Sequence, residues 1–336
     1  LVVAAEHGLF RRRGLKIRLF RELGWATIRD KLTHGELDLA HAPCPMPFTL
    51  RTGPLPVEAI TGLVLNLNGN AITLSESLWK AGVRDAATLA RHARTLRGQM
   101  LTFGIVSTQS SHGYLIRKWL QKAGVNLDLC RFVVVPPPQM TANLKAGHLD
   151  GFCAGEPWNT EAVADGCGWI ATTSSSLEPL HPEKVLIARA DFEARLHEEH
   201  VAVISALIEA CRYCDNPANH ADIIELLTRR EYLNLPASVV RRSWSGATDF
   251  GHGRTVPDPE FVVFHRHDAN EPSGDKAGWI ANNLLEPATR ASFTSSALAK
   301  IFRTDLYAEA AADTLPFPSE SDADPESENE NETVSA

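Results

Sequence analysis

Three short polar stretches carry the residues that could hold a small anion. Gly24-Trp25-Ala26-Thr27 stands at the N-terminal edge of a helical pattern that begins near Thr27. An indole N–H, a hydroxyl and the free backbone N–H groups of a helix start are donors that suit a small planar anion. The same residues also read as a surface Trp with Thr27 as a plain cap. Leu65-Asn66-Leu67-Asn68-Gly69-Asn70 puts three amides into an otherwise apolar strand. Buried amides need partners, so these either aim donors into a cleft or form an Asn-Gly turn. Thr108-Gln-Ser-Ser111-His112-Gly113 is a hydroxyl-rich loop entering a helix that starts near Tyr114. His112 could donate to an anion there; N-capping by Ser111 beside an incidental His is the plainer alternative.

Other reactive residue types point to less. Glu156 precedes Pro157, which keeps its backbone extended. A carboxylate on a cleft wall is unwelcome to an anion, so Glu156 is expected in a structural role. Cys211-x-x-Cys214 has metal or redox spacing but ends a helical pattern, and no second ligand pair follows it. Half-buried helix thiols are the expectation. The six Cys are scattered through mostly apolar stretches, as small buried hydrophobes are, and fit a reducing compartment. Neither a Gly-x-Ser-x-Gly elbow, a Walker loop, a His-Glu-x-x-His nor a Rossmann glycine fingerprint occurs, so no enzyme is expected.

Length and charge narrow the class. With 336 residues the chain is long enough for about two domains. It has 41 acidic and 33 basic residues. Eight of the acidic ones, and none of the basic, lie from Asp313 onward, so the body is neutral. A neutral body argues against direct nucleic-acid binding, which needs a Lys/Arg excess to displace counterions. Residues 311–336 form a Pro/Ser/Glu/Asn-rich stretch expected to be disordered from Asp313. No run of about 18 apolar residues is present. The sequence opens at Leu1 in mid-pattern and reads as trimmed at its start.

An internal repeat supplies the elements that must position these residues. Helix, Gly14, alternating Leu15–Phe20, helix, Gly35-Glu-Leu37-Asp38 recurs as helix, Gly124, Phe132–Val135, helix, Gly147-His-Leu149-Asp150. Glycine after a helix supplies its left-handed stop. Two βαβ-type units imply two similar α/β lobes with the ligand in the cleft between them. The expected division is 1–72 as lobe I, 73–184 as lobe II, and 185–310 as the return to lobe I with the C-terminal helices. Gly62–Leu74 and Lys184–Ala188 are read as the two crossings.

Six motifs in order resemble the nitrate/nitrite- and bicarbonate-binding substrate-binding proteins of bacterial ABC importers and their cytoplasmic nitrate-sensor relatives. They are Ala4-Ala5-Glu6-x-Gly8-Leu9-Phe10, Trp25–Leu32, Ala40-His41…Pro45-Met46-Pro47, Leu65–Ile72, Gly155–Asn159 and His181-Pro182-Glu183-Lys184. The resemblance implies a type II periplasmic-binding-protein fold whose first strand would precede Leu1. It implies nitrate or nitrite first, and bicarbonate second, near Trp25, Thr27, Asn70 and His112. Gly24, Asn68, Ser111, Glu156 and Glu178 would support them. Asn70 stands where a Gln is familiar, and Pro179 where the nitrate binders carry an anion-facing Lys. No cofactor is implied, except Ca²⁺ near Glu178 in a bicarbonate binder. The implied partner is an ABC permease in the periplasm or cell envelope. For the sensor alternative it is a regulatory protein in the cytoplasm.

Overall fold

The Asn-rich stretch is where the chain passes from one sheet to another. A computed structural model describes residues 1–96 and 98–317. Its strands are β1 (Leu39–Pro43), β2 (Ala59–Asn68), β3 (Asn70–Ser75), β4 (Leu101–Ile105), β5 (Cys130–Val134), β6 (Gly151–Gly155), β7 (Gly168–Thr173), β8 (Pro182–Arg189), β9 (Ala247–Gly251), β10 (Arg254–Pro257) and β11 (Val262–Val263). One sheet runs β1-β8-β2-β11 and is antiparallel throughout. A second runs β5-β4-β6-β3-β7, with β4 parallel to β5 and β6, and β3 antiparallel to β6 and β7; β9 and β10 pair separately as an antiparallel ribbon. The chain leaves the first sheet at Gly69 and returns at Pro182. Gly69 (φ 91°) follows Asn68 (φ 58°), a left-handed pair that Gly and Asn tolerate best.

The helices used below are α1 (Val2–Glu6), α2 (Trp25–His34), α3 (Met46–Thr52), α4 (Ser111–Lys122), α5 (Met140–Lys145), α6 (Trp158–Ala164), α7 (His197–Asp215), α8 (Ala237–Ser243), α9 (Gly274–Leu284) and α10 (Thr304–Ala312). In the second lobe β4-α4-β5-α5-β6 forms two parallel crossovers. Leu115, Ile116, Trp119 and Leu120 of α4 pack on Leu101, Phe103 and Ile105 of β4. The first copy of the repeat differs. Its helix stops at Gly14 (φ 70°) and α2 at Gly35 (φ 73°), but Leu15–Phe20 is not a strand. A strand needs a paired neighbour, and no described strand lies beside this segment. Its apolar Ile17, Leu19 and Phe20 are exposed as a result.

Both faces of the first sheet are covered, which is why β2 is buried along its whole length. Val64 and Leu67 face a cluster that includes Phe48 of α3 and Ile280 of α9. Ile60, Leu63 and Leu65 face Ile204, Leu207 and Ile208 of α7. Each such fully buried aliphatic side chain contributes roughly 1.5–3 kcal/mol, so the strand that carries the Asn residues is firmly anchored.

The C-terminal part divides between the lobes. α10 packs on α7 in the first lobe, whereas α8 packs on α6 and β9 on β7 in the second. The segment after α10 also departs from expectation. Arg13 Nη2 donates to Asp313 O at 2.7 Å, and Phe317 stacks on Tyr213 at 3.9 Å. Asp313–Phe317 is therefore docked, because an aromatic ring and backbone hydrogen bonds hold it. The expectation of disorder for 318–336 lies outside the described residues. All six thiols are free. Cys211 and Cys214 sit on α7, where burial pushes them up to about 11 and about 12. No described helix is long and apolar enough to cross a membrane.

Candidate functional site

Three pieces of backbone meet at the sheet crossing. Asn68 N donates to His181 O at 3.0 Å, and Cys44 N, just after β1, donates to Glu183 O at 3.0 Å. Lys184 lies opposite both Pro43 of β1 and Asn66 of β2. The start of β8 thus brings His181, Glu183 and Lys184 against the Asn residues. From the second lobe, the first turn of α4 brings His112. Its Nε2 lies 3.1 Å from Glu183 Oε1, a bond that joins the lobes. From the first lobe, α2 brings Trp25. Its ring sits 6.4 Å from that of His41, and the Lys184 ammonium lies 5.6 Å from its centroid.

Most buried polar atoms in a folded protein have partners. Here nine gathered around this junction have none: Trp25 Nε1, His41 Nε2, Asn68 Oδ1, both amide atoms of Asn70, His112 Nδ1, both ring nitrogens of His181, and Glu183 Oε2. Asn70 is fully buried; its backbone N–H is satisfied by Ser174 Oγ at 3.1 Å, so only its amide is open. Each such atom costs about 1–3 kcal/mol if left unmet. A concentration of them in one place is the signature of a site that takes a small polar ligand. On its outer side Trp25 faces a cavity of about 530 Å³, lined by Arg29, Pro43 and Met46 of the first lobe and by Ser107, Thr108 and Gln109 of the second.

The walls are close to electrically neutral. Burial lowers His41 to about 3 and His181 to about 4, and it also lowers His112 although Glu183 opposes it. These imidazoles are neutral at neutral pH. Burial works to raise the Glu183 carboxyl, but Lys184 and His112 outweigh it and hold the acid well below the usual range. Glu183 is a carboxylate, and the Lys184 ammonium bonded to its Oε1 offsets its charge.

The residues singled out in the sequence fall into distinct places. Trp25, Asn70 and His112 belong to the cluster. Thr27 does not: it is exposed and does not line the cavity, because two positions along a helix turn it about 200° away from Trp25. Gly24 is the N-cap of α2 and offers no side chain. Asn68 contributes its open Oδ1, while its Nδ2 donates to Glu260 O at 2.9 Å. α4 starts at Ser111, earlier than expected, because Ser110 is the cap, its Oγ accepting from Gly113 N at 3.2 Å. His112 is therefore in the helix, not the loop. Glu156 accepts from Thr160 N at 3.1 Å and lines a different cavity, with Trp244 and Phe261. Burial, partly offset by Thr160, raises its carboxyl to about 7.

Glu178, which the resemblance ties to Ca²⁺ in a bicarbonate binder, has both oxygens engaged by protein donors. Its Oε1 accepts from Trp279 Nε1 at 3.1 Å; its Oε2 accepts from Tyr114 Oη at 3.0 Å and from Lys118. One donor thus engages Oε1 and two engage Oε2. Among the described residues no group of three or more His, Cys, Asp and Glu is placed to hold a metal ion. Pro179, where the resemblance places a Lys, is exposed.

Four members of the cluster were not singled out in the sequence as site residues: His41, His181, Glu183 and Lys184. Their signal was there, in Ala40-His41 and His181-Pro182-Glu183-Lys184. Nothing in spacing alone says that residues 41, 112 and 183 meet.

Comparison with known proteins places the chain. Residues 1–228 match the model of the NMT1-like family. The nitrate/nitrite binding protein NrtA of Synechococcus elongatus is 30% identical over 333 residues, 93% of this chain and 74% of that protein. The bicarbonate transport ATP-binding protein CmpC of the same species is 36% identical over 291 residues, 84% of this chain. The match takes in only 42% of CmpC, so the chain spans less than half the length of that relative. The crystal structure of the periplasmic nitrate-binding protein NrtA from Synechocystis superimposes with a TM-score of 0.84 at 29% identity, over 93% of this chain and 84% of that one. The α/β, periplasmic-binding-protein architecture agrees with that structure, and the chain belongs to the NMT1-like family and is a relative of the nitrate/nitrite binding proteins NrtA.

Proposed function

We propose that this chain is the solute-binding part of an ABC importer and that it captures one small planar oxyanion between its lobes: nitrate, nitrite or hydrogencarbonate. It binds and releases this ion without chemical change. The observation that carries the reading is the set of nine unpartnered buried polar atoms where the two sheets meet. A small ion with three or fewer oxygens can hydrogen-bond to several such atoms at once. Trp25 Nε1–H and Asn70 Nδ2 donate to the ion, and Lys184 supplies a nearby positive charge. The His112–Glu183 bond joins the lobes beside these atoms, and a low-dielectric setting strengthens the hydrogen bonds within it. The printed names of the relatives, nitrate/nitrite binding and bicarbonate transport, support the same class of ligand. The printed names also support an ATP-binding protein as a partner, and a permease is proposed with it.

Titration calorimetry with nitrate, nitrite and hydrogencarbonate tests the reading. Binding of at least one with a stoichiometry near one is expected. The absence of heat for all three, with a folded protein, would remove it.

A further inference from the structure

Away from the anion cluster the protein holds a second cavity, of about 250 Å³, to which both lobes contribute. Asp215, the last residue of α7, brings the first lobe to it; Glu156, just after β6, and Thr160 of α6 bring the second. None of the residues that carry the cluster's open atoms lines it. The space is just below the ~300–1,000 Å³ of drug-sized sites, so it suits a single ring or a short chain. Trp244, Phe261 and Phe264 give it aromatic walls, with the Trp244 and Phe264 rings stacked at 5.5 Å.

Most charges along these walls are already answered within the protein. Arg266 Nη1 lies 3.0 Å from Glu260 Oε1, its Nε lies 3.2 Å from Asp215 Oδ2, and Arg242 Nη1 lies 3.8 Å from Asp249 Oδ2. Asp215 also accepts from the backbone N–H groups of Phe264, His265 and Arg266. Asp258 Oδ2 accepts from Ser175 Oγ at 2.7 Å. His220 Nδ1 lies 3.2 Å from Trp244 O, and burial keeps the Cys214 thiol protonated. Glu156 stands apart. Its Oε2 accepts from Thr160 N at 3.1 Å, and the groups that oppose burial at its carboxyl, Thr160 and Asn159, are neutral. It is only partly buried, and the surface it keeps opens on the cavity it lines.

A carboxyl among aromatic faces, with no cation of its own, is one half of a recognition pair. Aromatic faces attract a cation. A carboxylate binds an ammonium or an amidinium through short, charge-assisted hydrogen bonds. An anion would meet Glu156 and Asp258 with its own sign, and a neutral guest would leave the Glu156 charge unanswered.

We propose that this cavity is a second binding site of the protein and that it takes a small organic cation, an amidinium or primary ammonium on one ring or short chain, whose apolar body lies against Trp244 and Phe261 and whose charged end meets Glu156. The site is independent of the oxyanion reading, because the two share no residue.

Calorimetry at pH 8 with benzamidine and benzamide tests it. The two probes have nearly the same outline, and only benzamidine is a cation. The unaltered chain is expected to bind one benzamidine, roughly tenfold or more tighter than benzamide, as a hydrogen bond between charged groups implies. Glu156→Gln keeps the shape and an acceptor for Thr160 N, and it is expected to bring the two probes to about equal affinity. Trp244→Leu keeps the carboxyl and is expected to weaken benzamidine roughly fivefold. Equal affinity for the two probes in the unaltered chain, or no binding of either, overturns the proposal. So does an unchanged ratio in Glu156→Gln that folds by circular dichroism. If that variant does not fold, the ratio in the unaltered chain and Trp244→Leu decide, and undiminished benzamidine binding in Trp244→Leu overturns it.

Discussion

The indole N–H of Trp279 donates to Glu178 Oε1 across 3.1 Å, and so ties α9 of the first lobe to the loop after β7 in the second. Tyr114 and Lys118 of α4 hold the other oxygen of the same carboxylate, and the Tyr114 ring meets the Trp279 ring edge-on at 5.5 Å. Trp279 also lies 5.6 Å from His181 of the cluster. Glu178 is thus a clasp across the cleft, and it bears on how long a bound ion stays.

Trp279→Phe keeps the ring and removes the donor. A hydrogen bond to a charged group is worth about 1.5–3 kcal/mol. Solvent near the partly exposed clasp trims this to about 1–2 kcal/mol, so the Kd for the ion is expected to rise roughly 5- to 30-fold. The change should appear in the dissociation rate, because the clasp acts after the lobes have met. Stopped-flow tryptophan fluorescence checks this; an unchanged off-rate would show that Glu178 takes no part in closure.

Trp25→Ala and His112→Ala should each weaken ion binding by about 1–3 kcal/mol, since each removes an open polar atom of the cluster. Thr27→Ala should change the Kd by less than about twofold, because Thr27 is exposed and off the cavity. Calorimetry on the three variants separates them. Equal losses for Thr27 and Trp25 would mean that the ion sits at the tip of α2, outside the cluster.

Stability should fall as the medium is acidified. His41 and His181 are held at about 3 and about 4, below their ordinary value of 6.5. The unfolded chain takes up their protons before the folded one does. Their contribution is complete above about pH 6.5 and is lost as pH drops from there toward 4 and 3. Thermal melts at pH 7.5, 6, 5 and 4 should show Tm falling through this window. His181→Gln should flatten the fall, and a parallel curve for that variant would contradict the assignment.

Glu156 works in the opposite direction. Its carboxyl is raised to about 7 against 4.5. The folded state holds this proton longer, so its contribution is complete below about pH 4.5 and is lost as pH rises through 7. Glu156→Gln removes the cost of ionising a buried acid and keeps an oxygen for Thr160 N. The variant should be more stable than the parent by about 1–3 kcal/mol at pH 8, and equal to it near pH 4.5. Urea melts at the two pH values read the difference; a gain of the same size at both would rule the cause out.

Local chemistry was enough for part of this protein. Glycines 14, 35, 124 and 147 mark helix stops in the residue string and take positive φ in the fold. The amide-rich Asn66–Asn70 stands out against its apolar flanks and turns out to be the crossing. Trp25 and His112 announce themselves as donors near helix starts. These features depend on neighbours within a few residues, and those neighbours are fixed by the order of the chain. What depends on distant residues was decided elsewhere. Leu15–Phe20 alternates like a strand, yet a strand exists only if another lies beside it. Thr27 reads like a ligand residue until the helix phase turns it outward. Asp313–Phe317 reads as disordered until Tyr213, Arg13 and Glu209 are found waiting for it. His112 looks like an anion donor until Glu183, 71 residues later, takes its one proton. A hydrogen's place on a ring, and the charge of a buried acid, are set by whatever packs against them. Only the tertiary structure brings those groups together.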